Sequence, residues 1–289
     1  MILLAAGLLL AACQGGKTDT PTAASATAAA LPSETPAPPT PTPVPLAAKV
    51  NGEGITLADY QAELQRYQAA QPGQTSEAAS KAVLDDLVGE ALLAQAAIKG
   101  GFSIDDAGLD AKIGELAASL GGEAALKDWQ TQNHYDESSF RAALRRSLAA
   151  AWQRDQLAAA VPETADQVHA SQILVQSEAE ANGIAQQLEN GADFATLAAK
   201  YDPVTGGDLG WFPQGYLLQP EVEQAAFALE AGKFSAVVKS SIGYHIVYVI
   251  ERDAQHALSA DARRTLQHKA LAAWLDEHRK NGQIELLLP

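Results

Sequence analysis

Cysteine is almost absent from this chain. Cys13 is the only one in 289 residues, so no disulfide can form within the molecule. Positive charge is scarce as well: 20 Lys and Arg face 35 Asp and Glu, a formal net charge of −15. Nucleic-acid binding needs clustered basic side chains to displace counterions, so nucleic acid is excluded as an expected partner. The acidity itself favours solubility. His256, His268 and His278 stand at no metal-ligand spacing, so no metal site is expected. Long apolar runs are missing too. The longest, residues 2–12, rises only about 16 Å as a helix, too little to cross a bilayer.

That short run has the length of the apolar stretch of a signal peptide. It ends in Leu10-Ala11-Ala12-Cys13-Gln14-Gly15-Gly16 and resembles a bacterial lipoprotein lipobox. The resemblance implies that residues 1–12 are removed and that Cys13 becomes a lipidated N-terminus. The protein would then be extracytoplasmic and anchored to the cell membrane. No Lys or Arg follows Met1, which suggests a truncated or late-assigned start. Eight of the 14 prolines lie between Pro21 and Pro45. Residues 13–46 therefore read as the lipidated cysteine and an extended, disordered Pro/Thr/Ala-rich tether.

Residues 47–163 read as helical. Val50 to Ile55 suggest a short strand and turn, and Thr56 with Asp59 caps a helix through Ala70. Val83, Leu84, Leu87, Val88, Ala91 and Leu92 recur at helical spacing before Gly100-Gly101. Further helices are expected over 105–120, over 123–133 with Leu126 and Trp129 inward, and from Asp136 or Ser138 to Ala159, stopped by Pro162. The last of these would bury Phe140, Leu144, Leu148, Trp152 and Leu157. No titratable cluster capable of chemistry is visible here. Residues 255–289 hold a helix with Leu266, Ala270, Ala273, Trp274 and Leu275 as its stripe, expected to pack on this helical part.

Between them, residues 166–252 alternate strands and helices. Strands are expected at 170–176, 234–238 and 244–251, helices at 178–189, near Phe194 to Ala198 and at 221–228, and a glycine-rich loop at 206–212. Five segments occur in order: Ala170-Ser171-Gln172-Ile173-Leu174-Val175, Gly191-Ala192-Asp193-Phe194, Gly206 to Phe212, Ala225 to Leu229, and Gly243-Tyr244-His245-Ile246-Val247. Together they resemble the parvulin-type (PpiC) peptidyl-prolyl cis-trans isomerases nearly end to end. The helical part, with its Val50-Asn51-Gly52-Glu53 opening, resembles bacterial foldases and chaperones of the PrsA and SurA type.

The resemblance implies an α+β architecture: a helical chaperone-like domain made from both ends of the chain, with an inserted four-stranded antiparallel sheet flanked by helices. It implies prolyl isomerisation of unfolded or newly exported polypeptides bearing X–Pro bonds, needing no cofactor. Leu209, Leu218, Phe227 and Val222 would line the proline pocket. His245, Gln172, Asp202 and Ser240 would form the polar floor, with the Ser240 hydroxyl bonded to His245. The departures are specific. Gln172 replaces the family's first-strand histidine, the loop before Gly206 is short, and Leu218 and Val222 stand for a methionine and a phenylalanine. The alternative is therefore a weak or inactive parvulin scaffold that only binds unfolded clients, and a purely structural lipoprotein is a third reading. His169 is expected on the strand face opposite Gln172. Lacking a basic cluster, the loop predicts no strong preference for an acidic residue before proline.

Overall fold

The computed structural model describes residues 44–288. The expected signal peptide, the Cys13 anchor and the tether up to Pro43 lie outside the described residues. Leu46, placed at the end of the tether by sequence, already belongs to a strand.

The helical region opens on a hairpin. Strands β1 (Leu46–Val50) and β2 (Glu53–Thr56) are joined through Asn51 at φ 52° and Gly52 at φ 86°. Two successive left-handed residues give the turn whose twist matches a hairpin, which is why Asn-Gly occurs there. Helices α1 (Leu57–Ala70), α2 (Ser76–Lys99), α3 (Asp106–Leu120), α4 (Glu123–Gln132) and α5 (Glu137–Ala159) follow. Their starts are local chemistry. The Thr56 hydroxyl accepts from the Asp59 N–H at 3.0 Å, and Asp136 and Ser139 close a reciprocal capping box.

Helix α2 runs against α5 along Leu93, Ala94, Ala97, Ala149 and Ala150, all buried. After the sheet region comes α9 (Ala260–Asn281), which lays Leu271, Trp274 and Leu275 against the same cluster. Leu271 takes the inward place that the sequence assigned to Ala273, which is exposed. Strand β7 (Ile284–Leu286) then pairs antiparallel with β1, Val50 opposite Ile284, so β1 is the centre of a three-stranded sheet. Trp129 corrects another expectation. It is 37% exposed and stacks on Tyr135 at 5.9 Å rather than entering the core.

The sheet region contains β3 (Thr164–Val175), α6 (Glu178–Glu189), α7 (Phe194–Tyr201), β4 (Asp208–Pro213), α8 (Pro220–Phe227), β5 (Val238–Ser240) and β6 (Gly243–Ala257). The four strands are antiparallel in the order β4-β3-β6-β5. Alternation on β6 sends Tyr244, Ile246 and Tyr248 to a face covered by α6 and α7, and His245, Val247 and Val249 to the face covered by α8.

Strand extents differ from those expected. β3 and β6 are much longer, because they pair with one another from Thr164–Ala257 to Val175–Tyr244. The segment expected as a loop over 206–212 is a turn at Gly206-Gly207 followed by β4, hydrogen-bonded to the outer edge of β3. The expected strand at 234–238 shrinks to a Phe234–Tyr248 bridge, and β5 begins only at Val238. There the Ser235 hydroxyl accepts the Val247 N–H at 2.9 Å, so a side chain interrupts the ladder.

Candidate active site

Three strands bring three polar side chains together. His245 on β6 lies opposite Leu174 of β3 and Val238 of β5. Gln172 sits two residues before Leu174, on the same face. The His245 Nδ1 is 2.8 Å from Gln172 Oε1, and its Nε2 is 2.6 Å from the Ser240 hydroxyl oxygen. His245 is only 1% exposed.

The hydrogen-bond directions follow from the atoms. The Gln172 carbonyl oxygen can only accept, so His245 Nδ1 carries the proton. In the neutral ring Nε2 is then the acceptor and the Ser240 O–H donates to it. Ser240 Oγ in turn accepts the Ile242 N–H at 3.1 Å. The chain Ile242–Ser240–His245–Gln172 is thus complete without any charge. Burial pushes the His245 pKa below the ordinary histidine value, and the nearby Glu221 carboxylate pulls the other way.

Gln172 is held by its own backbone. Its N–H donates to Gly207 O at 2.8 Å, and the neighbouring Ser171 hydroxyl donates to Gly206 O at 2.9 Å. Gly207 has φ 73°, and a Cβ there would overlap the Gln172 carbonyl oxygen, so glycine is required by both conformation and space. The Gln172 amide nitrogen has no hydrogen-bond partner among the described residues. Gln172 lines a cavity of about 190 Å³ together with Leu174, Tyr201, Asp202 and Gly207.

Asp202 reaches this cavity but not the histidine chain. It caps α7, and its carboxylate accepts from the Thr205 hydroxyl and from the Thr205 and Val204 N–H groups at 3.1 and 3.0 Å. Those bonds, the Thr205 hydroxyl foremost, hold its pKa below the usual carboxylate range. Asp202 therefore shapes the loop and stays ionised.

On the α8 side, Leu209, Tyr216, Leu217 and Phe227 are half-buried against Phe212, Val222, Ala226, Val247 and Val249. Phe227 meets Phe212 edge to face at 6.1 Å. Two expected pocket residues are placed differently. Val222 is 2% exposed, beneath the group rather than lining it. Leu218 is 91% exposed, and Leu217 takes the inward position. The cause is the Glu223 carboxylate, which accepts the N–H groups of Gly215, Tyr216 and Leu217 at 2.6, 2.9 and 3.0 Å and curls the loop around itself.

Leu209 and Phe227 thus lie in one apolar group and Gln172, His245 and Ser240 in one polar chain. Sequence reasoning missed Leu174, Tyr201, Leu217 and Gly207 as individuals. Only the Gly206-Gly207 pair carried a visible signal. His169 lies on the β3 face opposite Gln172. Alternation along β3 survives because the bulges place the extra residues, Leu209 and Ile250, on its neighbours. It bonds Asp208 at 2.9 Å. Among the described residues no group of His, Cys, Asp and Glu is placed to hold a metal ion, and no helix is long and apolar enough to cross a membrane.

Comparison with known proteins adds two family matches. The PPIC-type PPIASE domain matches residues 157–253, and the SurA-like N-terminal domain matches residues 43–144. A foldase protein PrsA of Caldanaerobacter subterraneus subsp. tengcongensis is 30% identical over 244 residues, covering 70% of this chain and 72% of that protein. One from Geobacillus kaustophilus is 30% identical over 195 residues, 64% of this chain and 67% of that protein. The crystal structure of a PrsA peptidylprolyl isomerase from Bacillus cereus superposes with a TM-score of 0.47 at 23% identity, covering 79% of this chain and 85% of that one.

Proposed function

The chain belongs to the PrsA foldase family, and from that premise we propose that its sheet region isomerises X–Pro bonds in unfolded, exported polypeptides outside the cytoplasm. The observation that carries this reading is His245, buried and neutral between Gln172 and Ser240 on the face that bears the Leu209–Leu217–Phe227 group.

Prolyl isomerisation breaks no covalent bond. Its barrier, about 18–20 kcal/mol for a peptide bond, is lost amide resonance. The twisted amide is less polar than the planar one, so a dry apolar surface that holds the proline ring favours it. A fixed donor beside that surface steadies a neighbouring carbonyl while the bond turns. The Gln172 amide nitrogen is the donor in this reading, because its oxygen is occupied by His245 Nδ1 and the residue lines the cavity. His245 positions Gln172, and Ser240 positions His245. Asp202 keeps the 202–207 loop against β3. In the cell, Cys13 would carry the lipid anchor and the proline-rich segment would hold the folded part off the membrane. The helical region would cradle clients between turnovers.

The test is prolyl isomerisation of a short X–Pro peptide by the full chain, alongside His245→Ala. Acceleration by the parent, reduced about 10–100-fold in the variant, is expected from losing a buried hydrogen-bond pair worth about 1.5–3 kcal/mol. No acceleration by the correctly folded parent would overturn the enzyme and leave a scaffold that only binds clients.

A further inference from the structure

Of the two charged residues of α8, Glu221 and Glu223, only Glu221 is engaged by no side chain and no backbone N–H among the described residues. It stands in the first turn of α8, directly after Pro220, and is exposed. Among the described residues it makes no ion pair and no side-chain hydrogen bond. Its neighbour Val222 is 2% exposed and packs in the cluster with Val247 and Val249. That seats the first turn of α8 on the strand that carries His245, two residues before Val247. Glu221 is near enough to His245 to oppose, in part, the lowering of its pKa by burial.

None of the surrounding cations is paired with it among the described residues. Glu223, two residues on, spends its carboxylate on three backbone N–H groups. Lys239 is opposite Tyr244 in the β5–β6 register, on the reverse face from His245, and lies over the Tyr244 ring at 5.7 Å. Lys200 lies over the Tyr201 ring at 5.6 Å and does not line the cavity. Arg252 is paired with Asp166 at 2.7 Å and lies over the Phe227 ring at 5.6 Å, at the other end of α8 from Glu221, and Lys269 of α9 reaches the Gly215 loop; neither makes an ion pair with Glu221 among the described residues. The 202–207 loop adds a second ionised carboxylate, Asp202. The polar chain between them is neutral and offers no counter-charge.

Resting on the isomerase reading, we propose that Glu221 is a specificity-determining residue, selecting X–Pro segments that carry Lys or Arg beside the proline and disfavouring those with Asp or Glu there. A peptide cation beside the proline is drawn to a carboxylate that no protein cation satisfies, and a peptide anion is repelled by it. Glu221 is exposed, so the effect is modest and salt-dependent: about two- to fivefold between Lys and Glu peptides at low ionic strength.

The experiment measures two quantities on the full chain, with Lys, Ala or Glu placed next to proline on either side in a four-residue peptide. Affinity is read by NMR titration, and isomerisation by exchange spectroscopy on the same samples. The expected result is tighter binding of Lys than Glu peptides at 20 mM salt. The ratio falls toward one in Glu221→Gln and toward one at 0.5 M salt in the parent. Equal affinities in the parent, or a ratio that survives Glu221→Gln, overturn the proposal. Glu221→Lys, expected to invert the ratio, guards against a variant that merely perturbs the helix. Exchange that is never accelerated while the affinity ratio holds would overturn the isomerase and leave the selectivity standing.

Discussion

The helical region and the sheet region bury apolar surface in different ways. Along α2 and α5 the contact is made by Ala94, Ala97, Ala149 and Ala150, which bring the helices close but cover little area. The helical region also holds cavities of about 320, 420 and 510 Å³, whose walls mix Arg66, Glu90 and Arg146 with Phe102, Trp129, Tyr135 and Phe140. The sheet region fills both faces with Ile173, Ile184, Ile246, Val168, Val249 and Phe212, all at or below 1% exposure. Its site cavity is far smaller, about 190 Å³. Space and chemistry are therefore separated. Roomy, charged clefts suit an extended polypeptide of varied sequence. The sheet region offers one small cavity at Gln172, with the Leu209–Leu217–Phe227 group as a separate apolar surface.

The comparison can be broken by deletion. Phe212→Ala removes a fully buried ring beneath the site and should cost about 3–5 kcal/mol in urea unfolding. Leu126→Ala, at the wall of the 510 Å³ cavity, should fall at the low end of about 2–5 kcal/mol, because that site is already open. Equal losses would mean that the two regions are packed alike. Next in size is Gly207→Ala. Left-handed strain and overlap with the Gln172 carbonyl together should cost about 2–3 kcal/mol, and isomerase activity should be lost while the far-ultraviolet spectrum is kept. A variant with full activity would show that the loop does not position Gln172.

Smaller again is Asp136→Ala. Loss of the capping box should lower stability by about 1 kcal/mol without touching isomerisation, separating the regions functionally. The subtlest change is with pH. The His245 pKa is depressed in the folded protein, so the unfolded chain binds a proton more readily. Stability is full above the ordinary value of about 6.5 and declines as pH falls from there toward the folded value. His245→Asn should remove that part of the slope, seen as a smaller change in urea midpoint between pH 7 and 5. An unchanged slope would place the histidine in an ordinary environment.

The helices were readable because their signals are local. Thr56, Thr75, Asp105 and Asp136 each accept from a backbone N–H three residues on, within one turn of sequence. The strands were readable in kind but not in length, since β3 and β6 are extended by each other across more than 80 residues of chain. The site splits the same way. Phe227 and His245 stood out through a family resemblance, not through any spacing. Leu217 and Leu218 are neighbours of the same type, and a carboxylate six residues away decides which one turns inward. Gln172 looked like a loss relative to histidine. Its geometry shows what an amide adds: one atom fixes the tautomer of His245, and the other stays free to donate.

The β1–β7 pairing joins residues 48–50 to 284–286. As the polypeptide emerges N-terminus first, β3 to β6 can be complete while β1 still waits for a neighbour more than 230 residues away. The inserted sheet can therefore be complete before the layer that frames it is closed, while the first strand still presents an open edge.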